Sequence, residues 1–133
     1  MSKLVRFMVV AGLILGATAA GAQSVPDALV ADPDVHQVML DNEHVRVFRA
    51  LAAHGAKSPM HSHPPLVIVS LGTGRVRLTL PDGKKQVLDL YPGFALWIPG
   101  TEHSWELLAG EVNIVAVEVK AAKAAMAAAA KPK

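Results

Sequence analysis

Beyond Leu66 the chain is cut every few residues by turn chemistry: Gly72 to Gly74, Pro81-Asp82-Gly83, Tyr91-Pro92-Gly93, Pro99 to Glu102 and Ala109-Gly110-Glu111. Punctuation this close leaves no room for an ordinary helix, so the intervening runs must be strands joined by tight reversals. Leu66 to Leu71 is apolar but for Ser70, as expected of a strand covered on both faces. Arg75 to Leu80 alternates, with Val76, Leu78 and Leu80 on one side and Arg75, Arg77 and Thr79 on the wet side. The turns that follow predict a β-meander through Lys85 to Leu90 and Phe94 to Ile98. His103 to Leu108 and Val112 to Val119 complete the series, and His36 to Leu40 and Val45 to Leu51, joined by an Asp41-Asn42 turn, precede it. About eight short strands with no amphipathic helix between them predict an all-β fold, a small antiparallel β-barrel or jelly roll.

With 133 residues, one domain with one core is expected. Residues 1–22 read as a signal peptide: Lys3 and Arg6 precede an apolar run from Phe7 to about Ala17, which closes on Ala20-Gly21-Ala22. The run is shorter than a membrane span requires. Cleavage after Ala22 and a periplasmic or secreted destination are expected, with no membrane span in the mature form. No cysteine is present, so thiol redox chemistry and disulfide stapling are excluded. Without Lys3 and Arg6 the basic residues fall from 13 to 11 and balance the 11 acids; Lys120, Lys123, Lys131 and Lys133 lie in the tail. A chain so balanced carries no basic footprint for nucleic acid. Residues 23–42 read as an N-terminal arm and first strand, 43–119 as the barrel and 120–133 as an Ala/Lys-rich tail, frayed or marginally helical.

The stretch Pro59-Met60-His61-Ser62-His63-Pro64-Pro65 carries the chemistry. Residues i and i+2 of a strand share a face, so His61 and His63 can aim two imidazoles at one point. The prolines stiffen the segment and, being poor ladder donors, place the pair where a strand begins. His103 opens a later strand and can lie opposite the pair in an antiparallel barrel. Three imidazoles with positions left open form the ligand set of a reactive metal site rather than a purely structural one. His36, His44 and His54 stand near turns and read as solvated or locally satisfied, with His54 the nearest exception.

At these residues the sequence resembles the cupin superfamily of double-stranded β-helix barrels. The first motif is matched by Gly55, His61, His63, Val67 and Gly74, and the second by Gly93, Pro99, Gly100 and His103. The family's glutamate four residues after the second histidine is replaced here by Val67, and a frequent later position is Leu107. The resemblance therefore implies a metal site of His61, His63 and His103 without a carboxylate. It also makes a homodimer the expected assembly. Strand parity adds pocket-lining expectations: Val67 and Val69 share the parity of the histidine pair, and Trp105 and Leu107 that of His103. Glu102, next to His103, is a candidate acid or base.

Three neutral imidazoles leave a divalent ion its full charge, which favours an anionic or chelating small-molecule ligand. Imidazole does not choose among Fe, Zn, Cu, Mn or Ni. Three readings stay open: a metal-dependent oxidoreductase of dioxygenase type or an isomerase, a non-catalytic metal or small-molecule binding module, and a structural dimeric barrel with a vestigial site.

Overall fold

The structure is a computed structural model, and it describes residues 24–121 together with 128 and 129. The expected signal peptide and most of the tail lie outside the described residues. Nine strands follow a four-residue helix: α1 (Ala28–Ala31), β1 (His36–Asp41), β2 (Val45–Ala52), β3 (Lys57–His63), β4 (Leu66–Ser70), β5 (Gly74–Thr79), β6 (Lys85–Leu90), β7 (Ala95–Ile98), β8 (Thr101–Gly110) and β9 (Val112–Val119). They form two antiparallel sheets, one ordered β1-β2-β9-β4-β7 and the other β3-β8-β5-β6. This is the expected all-β jelly-roll arrangement.

The inner faces supply one core. Phe48 and Ala50 of β2, Leu66 and Ile68 of β4, Trp105 and Leu107 of β8, and Val112 and Ala116 of β9 are all buried. Alternation explains the outer face: Arg75 and Arg77 point away from the core and pair with Asp89 and Glu106. Asn42 fixes the first hairpin, its Oδ1 accepting from the His44 and Val45 amides at 2.8 and 2.9 Å.

Four expectations need correction. The histidine pair closes β3 rather than opening a strand. Pro59 lies within β3, which is an edge strand, and the register with β8 shifts between Ser58 and His61, so a bulge absorbs the missing donor. Pro64 and Pro65 then carry the chain to β4 in the opposite sheet. Crossing that corner reverses parity: Leu66, Ile68 and Ser70 are buried, whereas Val67 and Val69 are half-buried on the other side, against Trp97 and Val117 across the ladder. Val67 and Val69 therefore do not line the interior, and β4 is not covered equally on both faces. Last, the meander stops at Leu90. β5 and β6 are a hairpin, but Tyr91-Pro92-Gly93 takes the chain across to β7, which pairs with β4.

The N-terminal arm is short and folded against the barrel. Asp27 caps α1 through Oδ1, which accepts from the Leu29 amide at 3.0 Å. Ser62, between the paired histidines, donates its amide to the Pro26 carbonyl at 2.8 Å and its hydroxyl to the Val25 carbonyl at 3.2 Å. The arm thus passes along the outer side of the very segment that carries the histidines.

Candidate metal centre

At one end of the space between the sheets, four histidines converge. His61 and His103 are cross-strand partners on β3 and β8, with ring centroids 4.6 Å apart. His63 stands 4.9 Å from His61 and 5.4 Å from His103, ring to ring. The fourth is His36, at the start of β1, with its ring 5.4 Å from His61 and 6.2 Å from His63. The ligating nitrogens of His36, His61 and His63 all lie within 4.8 Å of one another. His103 forms the adjoining wall. Phe48 underlies the group, stacked on His63 at 5.7 Å and edge-on to His36 at 5.4 Å.

Each ring in the tight trio has its proton placed by the fold. A carbonyl oxygen can only accept, so His36 Nδ1–H donates to Asp32 O at 2.9 Å and His61 Nδ1–H to Pro59 O at 2.8 Å. His63 Nδ1 lies 3.3 Å from the Glu118 carboxylate and donates to it. All three Nε2 atoms are therefore left as lone-pair donors. His61 is fully buried and its Nε2 has no hydrogen-bond partner. The only other buried side-chain atom without one, among the described residues, is Asp32 Oδ2. Both are acceptors, and Asp32 is close enough to act electrostatically on His36 and His61. Burying two unsatisfied acceptors is costly, and a cation satisfies such groups where another acceptor cannot.

Electrostatics favour the neutral form, the one that binds metal, at His36, His61 and His103. Burial pushes His61 down to about 4, with His63 and His36 adding to the effect against the bond to Pro59. Burial, then the neighbouring His61, His63 and His36, pushes His103 down to about 3. Burial also lowers His36. Behind His63, burial would raise Glu118, but the bonds from His63 and Arg46 outweigh it and hold the carboxyl below its usual range. Arg46 Nε reaches Glu118 at 2.6 Å, and its Nη2 reaches Asp27 at 2.7 Å.

Next to the histidines runs a cavity of about 80 Å³, walled by Leu66, Ile68, Val76, Leu90 and Trp105. Trp105 thus stands where its parity with His103 places it. Leu107 is buried in the same row but belongs to the core rather than the cavity wall. Glu102 pairs with Ser62 on the outward side of β8 and is exposed, so it faces a surface cleft and not the cavity. Alternation along β8 turns it away from His103. His44 and His54 are exposed. His36, read as a bystander, is instead a cluster member.

No protein-family model matches the sequence, and no curated protein does. Among solved structures, the chain is similar to a cupin domain from Bordetella pertussis Tohama I, with a TM-score of 0.60 at 28% identity over 74% of this chain and 98% of that one. The fold is that of the cupins. An RmlC-like cupin family protein with a double-stranded β-helix fold, from Methanocaldococcus jannaschii, is similar at a TM-score of 0.52 and 18% identity, over 69% of this chain and 84% of that one. In this barrel position 67 faces away from the interior, so the all-histidine cluster is completed not from β4 but by His36 at the start of β1.

Proposed function

We propose that this cupin holds one divalent transition metal at the Nε2 atoms of His36, His61 and His63, with His103 alongside, and presents it to a small ligand in the adjoining cavity. The fully buried, partnerless Nε2 of His61 carries this reading, because its proton is already committed on the other nitrogen and only a donor or a cation can meet the lone pair. An all-imidazole set suits Fe, Zn, Cu or Ni better than Mn. Such an ion would supply Lewis acidity toward an oxygen donor. The protein's part is to hold the ligand: a cavity of about 80 Å³ with aliphatic walls accommodates a molecule of few heavy atoms, with an anionic or chelating head toward the histidines and carbon behind it.

The same geometry favours binding over turnover. Each Nδ1 proton in the trio is engaged, Glu102 faces outward, and His103, the remaining ring on the cavity wall, is pushed down by burial to about 3, which makes it a poor proton acceptor near neutrality. The contiguity of cavity and cluster supports a second reading, a metal-dependent oxidoreductase or isomerase acting on that ligand. Loaded protein tests both. Binding predicts a raised melting temperature with oxalate or pyruvate and no loss of the added acid; turnover predicts conversion of the acid or uptake of dioxygen that stops in His61→Ala. No thermal shift and no conversion with any metal would contradict both.

We also read the protein as exported, on the basic and apolar order of residues 1–22, and as a homodimer. The exposure of Val38, Met39 and Leu40 on edge strand β1 supports self-association through that edge. Among the described residues no helix is long and apolar enough to cross a membrane.

A further inference from the structure

Two of the trio's side chains are set not by their own strand but by one ionic chain. On the inner face of the larger sheet, Arg46 and Glu118 are direct cross-strand partners, an inward-pointing charge pair in a row that otherwise buries Phe48 and Ala116. Glu118 is 1% exposed and accepts from His63. The other arm of the Arg46 fork reaches Asp27, which caps α1; α1 ends at Asp32, and the Asp32 carbonyl receives the His36 proton. His63 and His36 thus stand at the two ends of a continuous path through Glu118, Arg46, Asp27 and α1. His61 is outside this path, since its Nδ1–H is held by the carbonyl of Pro59 in its own strand.

We propose that Arg46 is a positioning residue, a clamp that aims the Nε2 atoms of His63 and His36 together by joining the buried carboxylate behind one to the N-terminal arm that carries the other. This inference rests on the metal reading of the cluster. Physically, a planar guanidinium offers separate N–H groups in a fixed fork, so one residue can bind two carboxylates at a set angle; the rotatable donors of an ammonium fix no such angle. One cation between two carboxylates leaves a net negative charge behind His63. That charge strengthens the imidazole as a donor from the outer shell.

Two variants of the full chain isolate the clamp. Arg46→Lys keeps the charge and loses the fork. Asp27→Asn keeps the oxygen that caps α1 while placing an amide, a donor, opposite Arg46. In metal-free protein, long-range proton–nitrogen NMR spectra of the imidazoles are expected to show wild-type His36, His61 and His63 each with the proton on Nδ1. In Arg46→Lys, His36 and His63 are expected to become tautomer mixtures while His61 stays fixed; in Asp27→Asn, His36 alone is expected to change. Titration with Co²⁺ is expected to give affinities roughly 10 to 100 times weaker in both variants, and His36→Ala is expected to add little further loss on the Asp27→Asn background. Unchanged tautomers in both variants would overturn the clamp, as would a change that takes His61 with it, which would mark general loosening. Tautomer shifts in the variants of a protein that binds no Co²⁺ would leave the clamp standing and remove the metal reading instead.

Discussion

His61 shows at the scale of one side chain how the barrel trades stability for a site. Its ring is fully buried, one nitrogen is bonded to Pro59, and the other faces the cluster with no partner. An unsatisfied buried acceptor costs on the order of 1–3 kcal/mol. His61→Leu is therefore expected to abolish metal uptake while leaving the metal-free barrel at least as stable in urea as wild type. Marked destabilisation of that variant without metal would mean the ring is a structural core residue. The depressed histidines also fix a pH dependence. An unfolded histidine titrates near 6.5, whereas His61 and His103 in the fold sit at about 4 and about 3. Below pH 6.5 the unfolded chain takes up protons that the folded one refuses. Stability of the chelated protein is then complete above about pH 6.5 and is lost progressively as pH falls toward 4 and 3. Urea melts at pH 7.5, 6 and 5, with chelator present, check the sign; a midpoint that holds or rises on acidification would contradict it.

At the scale of elements, what was legible in the sequence and what was not divides at bulges and corners. His103, Trp105 and Leu107 follow strict alternation, so their inward row could be read from β8 alone. His36 could not. Counting back from the Asn42 turn pairs Asp41 with Arg46 and Leu40 with Val47, which would set His36 opposite the exposed Leu51. A register shift between Val38 and Leu40 moves it opposite Ala50 and turns it inward. The prolines after His63 do the same to Val67 and Val69, because the chain changes sheets there and parity is not carried round the corner. The inward row on β2 is what the cluster rests on: Phe48 is 2% exposed and touches two of the rings. Phe48→Ala is expected to cost about 3 to 5 kcal/mol in denaturant unfolding and to weaken metal binding. A loss under about 1 kcal/mol with metal binding intact would show that the rings need no such floor.

For the whole molecule, the fold was legible because its signals are local and repeated: turn tripeptides at close intervals, one wet face on β5, and two motifs separated by a barrel's length of chain. The site was legible only in part, since it assembles residues from β1, β3 and β8, behind an arm tied to the barrel by Ser62 and by the Arg46–Asp27 ion pair. With no disulfide to hold it, a barrel that binds metal only when folded should gain stability from the metal by mass action, about 2.7 kcal/mol when free metal is one hundred times its dissociation constant. The most direct measurement is the metal content per chain of wild-type protein and of His61→Leu, purified identically and then dialysed against a divalent metal buffer. The account predicts close to one ion per chain in wild type and none in the variant. Equal metal in the two, or none in either, would contradict it.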